Sequence, residues 1–189
     1  MRSLAKRSLL TIVLGGTLAV SVAASASALS LGQVAAPNMG GCGSCSVFQA
    51  RSAPKTPRYV VPAGATGLWT ITSWSAQGGG SEAGRARLRV YRPTATAGNY
   101  KLIKQSRYQL VPADAHPSFT TNLNVKKGDL LGLETVSGLV SAYGVPTNST
   151  AKTVGGGPPL GAIVGPGTPF MLGTLTFEQV NVQATLVPR

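Results

Sequence analysis

Side chains able to perform acid–base or nucleophilic chemistry are few in this 189-residue sequence. It contains one histidine, His116, and five acids, at positions 82, 114, 129, 134 and 178. A serine-hydrolase triad would have to use His116, yet the sequence has no Gly-x-Ser-x-Gly turn, and Asp114 lies in a Pro-rich turn. Asp129 fits a turn and Glu178 fits a strand surface. We therefore predict that the protein is not an enzyme.

Metal and cofactor sites are not predicted either. A zinc site needs a cluster of His and Cys ligands, and this sequence offers one histidine, two cysteines and scattered acids. No spacing of these residues matches a metal-binding or cofactor-binding motif. We expect no metal and no cofactor.

The two cysteines are separated by Gly43 and Ser44. In an oxidising compartment we expect Cys42 and Cys45 to pair, closing a small ring that fixes the chain where the first strand begins. The alternative is thiol–disulfide exchange, which typically uses a thiol of lowered pKa at a helix N-terminus. Residues 47–51 have the pattern of a strand, which favours the structural disulfide.

Three arginines alternate with apolar residues over 85–90. Arg85, Arg87 and Arg89 are expected to share one outward face of a strand, at a repeat of roughly 6–7 Å, while the residues between them face the core. Such a row matches phosphate, sulfate or carboxylate groups along a polymer, which makes it a candidate anion-binding site. The alternative, which we favour, is a solvated sheet face whose long side chains cover apolar surface.

Trp69 and Trp74 are the candidates for stacking on sugar rings. Their odd spacing places them on opposite faces of a regular strand, so at least one is expected in the core. A platform of two tryptophans on one strand is therefore not expected.

The elements that position these residues are predicted to be strands. Segments of β type recur at short spacing, and no segment after the N-terminal region has the apolar period of a long amphipathic helix. The clearest are 47–51, 68–76, 85–90, two strands within 99–111, 119–125, 130–134 and 180–186. Eight to ten strands over 42–189 predict an all-β fold with a single β-sandwich or jelly-roll-like domain.

The segment 144–169 interrupts this rhythm with seven glycines and five prolines in 26 residues. That composition does not favour a regular strand ladder, and it predicts a long surface loop that is either functional or mobile, with mobility preferred. Asn148 begins an Asn-Ser-Thr triplet that matches an N-glycosylation acceptor.

The N-terminal segment has the three parts of a secretory signal. A basic start precedes an apolar run of 14 residues, shorter than the roughly 20 that span a bilayer, and the run is followed by the small residues Ala26-Ser27-Ala28. We predict a signal peptide over 1–28, cleavage after Ala28, a flexible arm over 29–41 and a secreted protein without a transmembrane anchor. An uncleaved anchor is the less favoured alternative.

Cleavage would leave 14 basic and five acidic side chains among 161 residues, a net charge of +9. This balance favours anionic partners such as cell-wall polymers or acidic glycans. The sequence has no dense basic run and no nucleic-acid-binding motif, so nucleic acid is not an expected partner.

Several short motifs, taken in order, carry a family resemblance over about 42–186. They are Cys42-x-x-Cys45, Val61-Pro62-Ala63-Gly64, Ile71-Thr72-Ser73-Trp74-Ser75, Leu88-Arg89-Val90-Tyr91-Arg92, Lys127-Gly128-Asp129-Leu130-Leu131-Gly132-Leu133 and Val180-Asn181-Val182-Gln183-Ala184. The sequence thereby resembles a group of secreted β-sandwich proteins of actinobacteria. The resemblance implies the fold and export, and it brings no activity with it.

Three functions from different classes are consistent with these observations. The first is a non-catalytic binding module for a wall polymer or glycan. The second is a structural domain that docks on another secreted protein, and the third is an enzyme such as a disulfide exchanger. The scarcity of acids and histidine disfavours the third.

Overall fold

The computed structural model describes residues 27–35, 44–51, 58–64, 66–79, 82–136, 142–144, 149–155, 157–170 and 172–189. The predicted signal peptide up to residue 26, Cys42 and Asn148 lie outside these ranges. Cleavage after Ala28, the disulfide and glycosylation of Asn148 therefore stay predictions.

Fourteen strands and no helix are found in the described residues. The strands are β1 Leu29–Gln33, β2 Ser44–Arg51, β3 Leu68–Ala76, β4 Gly84–Pro93, β5 Tyr100–Gln105, β6 Gln109–Val111, β7 Ser118–Lys126, β8 Leu130–Val136, β9 Ala142–Gly144, β10 Thr150–Val154, β11 Ile163–Val164, β12 Leu172–Thr176, β13 Glu178–Val180 and β14 Val182–Pro188. Four of them are only two or three residues long, which explains why the number exceeds the eight to ten predicted. A helix long and apolar enough to cross a membrane is not found in this part of the chain.

The strands form two main sheets whose ladders are antiparallel. The four-stranded sheet has the order β1-β14-β3-β7, and the eight-stranded sheet has the order β11-β5-β4-β8-β2-β10-β12, with β6 also paired to β4. β9 and β13 form a separate two-stranded ladder. The predicted all-β sandwich is confirmed.

The main core lies between the two sheets. Alternation places Leu88 and Val90 of β4 on the inner face of the eight-stranded sheet, and Ala184 and Leu186 of β14 on the inner face of the four-stranded sheet. Each of these side chains is no more than 1% exposed. The period of two in the sequence therefore identified the faces of β4 and β14 correctly.

The prediction of a flexible arm over 29–41 is wrong for its first part. Leu29–Gln33 forms strand β1 and pairs with β14 along five residues, and Leu31 is buried in the main core. A short strand at the edge of a sheet owes its order to its neighbour, so its own sequence carries little signal. Residues 36–41 of the predicted arm lie outside the described ranges.

The prediction of one long loop over 144–169 is also wrong. Thr150–Val154 forms strand β10, which lies between β2 and β12 and contains neither glycine nor proline. The composition of the whole segment concealed this short β-type stretch. Residues 157–170 are largely irregular but fixed to the fold, because Leu102 N donates to Ala162 O at 3.0 Å and Gly161 N donates to Leu102 O at 2.8 Å.

Candidate anion-binding site

The predicted arginine row lies on β4, on the outer face of the eight-stranded sheet. Arg85, Arg87 and Arg89 share that face, as alternation predicted. Their exposure differs greatly, because Arg85 is exposed, the Arg87 side chain is 18% exposed and the Arg89 side chain is 0% exposed. The expectation that all three arginines face solvent is therefore wrong.

Glu134 explains the burial of two of these arginines. It lies on β8 directly opposite Arg87, and its Oε2 accepts a hydrogen bond from Arg87 Nε. Arg89 Nη2 lies 2.7 Å from the same Oε2, in an ion pair that falls outside hydrogen-bond geometry. A buried guanidinium requires such a partner, because an uncompensated charge in the protein interior is strongly destabilising. One carboxylate thus neutralises part of the row from within the molecule.

Tyr108 adds a second internal contact to the row. The guanidinium carbons of Arg85 and Arg87 lie 5.1 Å and 4.3 Å from the centre of its ring, within the range of cation–π attraction. Partial burial and the nearby Glu134 raise the pKa of the Tyr108 hydroxyl. We call Arg85, Arg87, Arg89, Glu134 and Tyr108 the arginine face. Of its three cations, Arg85 alone is classed as exposed.

Aromatic side chains pack on the outer face of the eight-stranded sheet beside Arg89. The rings of Phe48 and Tyr91 stack with their centres 4.4 Å apart, beside Gly132. A Cβ atom at Gly132 would lie 2.8 Å from the Phe48 Cβ, so the absence of a side chain there makes room for these rings. Together with Leu102 and Val164 they form a second apolar cluster on a face that the sequence predicted to be solvated.

A second ion pair supports the turn between β7 and β8. Arg92 Nε and Nη2 donate to the two carboxylate oxygens of Asp129 at 2.7 and 2.9 Å, which raises the pKa of Arg92. Asp129 Oδ2 also accepts from the backbone nitrogen of Lys126 at 2.9 Å. The prediction that Asp129 is a turn residue agrees with this role, since the buried carboxylate fixes the turn that carries Lys126 and Lys127.

Four exposed basic residues from three segments of the chain lie at or toward this end of the sandwich. Arg58 and Lys127 line one cleft of about 270 Å³ with an apolar floor. Lys126 pairs with Leu68 across β7 and β3, and Arg189 N donates to Leu68 O from the other side at 3.2 Å. We call Arg58, Lys126, Lys127 and Arg189 the basic end.

Sequence reasoning missed the basic end because its members come from three separate segments. Only the dipeptide Lys126-Lys127 gave a local signal. No spacing rule connects this dipeptide to positions 58 and 189. Long-range pairing of β3 with β7 and of residues 58–61 with 128–131 brings these positions together.

The charge that reaches the surface is strongly unbalanced. Asp129, Glu134 and Glu178 are buried, so Glu82 and Asp114 are the exposed acids among the five. Burial raises the pKa of the Glu178 carboxyl. Within the described ranges the exposed cations number eight: Arg58, Arg85, Lys101, Lys104, Arg107, Lys126, Lys127 and Arg189. The ratio of cations to acids at this surface, eight to two, therefore exceeds the ratio of 17 to five in the whole sequence.

Both candidates for sugar stacking are buried. The register of β3 shifts between Ile71 and Ser73, and this irregularity lets Trp69 and Trp74 point to the same side despite their odd spacing. Trp69 Nε1 donates to Pro62 O at 3.1 Å, and the Trp74 ring packs 4.9 Å from that of Phe119. With exposures of 8% and 1%, neither ring offers a free face to a sugar. The expectation that at least one tryptophan lies in the core agrees with this burial, whereas the expectation that the two rings lie on opposite faces is wrong.

Of the two cysteines, the structure describes only Cys45. Cys45 lies on β2, buried against the main core, and it does not carry a free thiol. Among the described residues no three His, Cys, Asp or Glu side chains are grouped so that they could hold a metal ion.

Comparisons with protein-family models, with curated proteins and with solved structures found no match for this chain. The resemblance to secreted β-sandwich proteins of actinobacteria accordingly stays a prediction.

Proposed function

We propose that the protein is a secreted, non-catalytic binding module for anionic polymers and that the basic end is its contact surface. The observation that carries this proposal is the imbalance of exposed charge, with eight cations and two acids at the surface of the described residues. Such a surface attracts polyanions, and the attraction is screened by salt over about 10 Å at 0.1 M. Cell-wall polymers and acidic glycans are the expected ligands.

The geometry of the basic end supports its role over that of the arginine face. Arg58 and Lys127 line the same cleft, so one polyanion in that cleft would lie beside both cations. The backbone that carries them is fixed, because Val61 N donates to Asp129 O and Gly128 N donates to Val61 O. On the arginine face, by contrast, the guanidinium groups of Arg87 and Arg89 already contact Glu134.

The surroundings of Cys45 support a non-catalytic role. A disulfide exchanger lowers the pKa of its reactive thiol with the partial positive charge of a helix N-terminus. Cys45 lies instead within strand β2 and packs into the main core. This position favours a structural role for the cysteine.

Retention on immobilised polymers tests the proposal. We expect the chain from residue 29 to 189 to bind polyglutamate and polyphosphate beads at about 50 mM NaCl and to elute well before about 500 mM, because salt screens exposed charges. Uncharged polyacrylamide beads are the matched control and should not retain it. Equal retention on charged and uncharged beads, or retention that does not respond to salt, would refute the proposal.

A further inference from the structure

The opposite end of the sandwich contains a second, chemically different cleft. Strand β3 begins beside Lys126 and ends next to Gln77, so these two positions are separated by roughly 30 Å. Arg58 lies between them, because its backbone oxygen accepts a hydrogen bond from Gly32 N at 2.7 Å. The cleft at the Gln77 end has a volume of about 470 Å³. Five polar side chains line it: Gln33, Gln77, Asp114, His116 and Gln183.

One wall of this cleft is held by a buried side-chain amide. Ala35 N donates to Asn181 Oδ1 at 2.9 Å, and Asn181 Nδ2 donates back to Ala35 O at 3.1 Å. Asn181 is fully buried, and its side-chain amide makes the pair of hydrogen bonds with Ala35 that the backbone of a neighbouring strand would otherwise make. This pair fixes residues 34–35, which follow Gln33 at the end of β1.

The other wall is the turn between β6 and β7. Gly78 N donates to Ala115 O at 2.7 Å, and Asp114 N donates to Gly79 O at 3.1 Å. A Cβ atom at Gly78 would lie 2.0 Å from Pro112 O, so glycine permits this close approach. Asp114 has a φ of 49°, in the left-handed region that Asp tolerates better than most residues. The carboxylate is thus presented from a fixed, unusual backbone conformation.

The lining combines donors and acceptors without a strong net charge. Three carboxamides each carry both kinds of group, the Asp114 carboxylate accepts, and the His116 ring offers one of each when neutral. Gln77 is 8% exposed, and its Nε2 donates to Gly78 O at 3.2 Å, which restricts the orientation of its amide. Closely spaced groups of this kind suit a ligand with many hydroxyls.

Electrostatics narrows the class of ligand further. Asp114 disfavours an anion inside the cleft, and the positive surface of the rest of the molecule disfavours the approach of a cation. A neutral ligand satisfies both conditions. We infer that this cleft binds an uncharged saccharide unit through hydrogen bonds to its hydroxyls, independently of the basic end.

Titration calorimetry with neutral oligosaccharides tests this inference. The probes are hexamers of glucose in α-1,4 linkage, glucose in β-1,4 linkage, xylose and N-acetylglucosamine, with a neutral capped oligopeptide as a further arm. At least one saccharide should bind, and its affinity should not change between low and high salt, because the contact involves no ligand charge. Salt dependence also separates this site from the basic end.

Substitutions of residues that line the cleft test whether the saccharide binds there. Gln183→Ala and His116→Ala each remove exposed hydrogen-bonding groups and should weaken binding by about threefold to tenfold. Asn122→Ala removes a similar exposed side chain from β7, away from the cleft, and should leave affinity unchanged. The inference fails if no hexamer binds, if only the peptide binds, or if the cleft variants behave like Asn122→Ala.

Discussion

The arginine face and the basic end contain similar numbers of cations and differ in what surrounds them. On the arginine face, β8 places Glu134 opposite Arg87, and aromatic packing removes Arg89 from water. At the basic end the one nearby buried carboxylate, Asp129, contacts Arg92 and the backbone of Lys126. The exposed side chains of Arg58 and Lys127 therefore keep their charge available.

The alternation of residues along a strand therefore predicts the face on which a side chain lies, but not whether that side chain is exposed to solvent. Arg89 points to the outer face as expected, yet that face is itself covered by Phe48, Tyr91 and residues 157–170. Whether a charged row can bind a ligand depends on acids and covering segments that lie far away in the sequence.

The largest predicted effect on stability comes from removing the charge of Glu134 on the arginine face. Glu134→Gln should lower the free energy of unfolding by about 3–5 kcal/mol, because it leaves the guanidinium of Arg89 buried without a compensating charge. Urea unfolding measures this change. Glu82→Gln is the matched control at an exposed acid and should change stability by less than about 0.5 kcal/mol. Equal effects of the two substitutions would mean that the Glu134 pair is not structural.

A smaller effect concerns Glu178, which is buried and makes no ion pair with the described residues. Burial raises its pKa above 4.5, so the folded state holds the proton more tightly than the unfolded state. Its contribution to stability is therefore present at low pH and is lost as pH rises through the folded-state pKa. Glu178→Gln should stabilise the protein at pH 7.

The pH dependence of the stability of Glu178→Gln distinguishes the carboxyl of Glu178 from the paired carboxylate of Glu134. Unfolding curves measured from neutral to acid pH should show the advantage of Glu178→Gln shrinking as the wild-type carboxyl gains its proton. Glu82→Gln serves again as the control, with no comparable trend. If Glu178→Gln destabilises the protein at pH 7, its carboxylate has a favourable partner and the difference between the two acids disappears.

The sequence was sufficient to predict most strands, because long stretches of β4, β7 and β14 alternate between apolar and polar residues. It failed where one extra residue mattered, since the irregularity after Ile71 turned Trp74 into the core. It also failed for β1, whose order depends on β14.

The candidate site was less predictable than the fold. Glu134 lies 47 positions after Arg87, and Arg58 lies 69 positions before Lys127. Neither proximity follows from local pattern, because both depend on which strands become neighbours in the sheets. Composition predicted the kind of partner, while the location of the contact surface required the structure.

The central claim is that the basic end, and not the arginine face, binds anionic polymers. The most direct test compares two double variants. One carries Arg58→Gln and Lys127→Gln, and the other carries Arg85→Gln and Arg107→Gln. All four side chains are exposed, so each double variant lowers the net charge by two and should leave stability nearly unchanged. The measured quantity is the salt dependence of affinity for polyglutamate.

We expect the first double variant to bind at least about tenfold more weakly at low salt and to respond less to added salt, because both cations of the cleft are gone. The second should remain close to the unmodified protein. If the second variant loses as much affinity as the first, binding follows net charge alone. If it loses more, the surface that carries Arg85 and Arg107 is the contact surface. Either result would contradict the assignment of binding to the basic end.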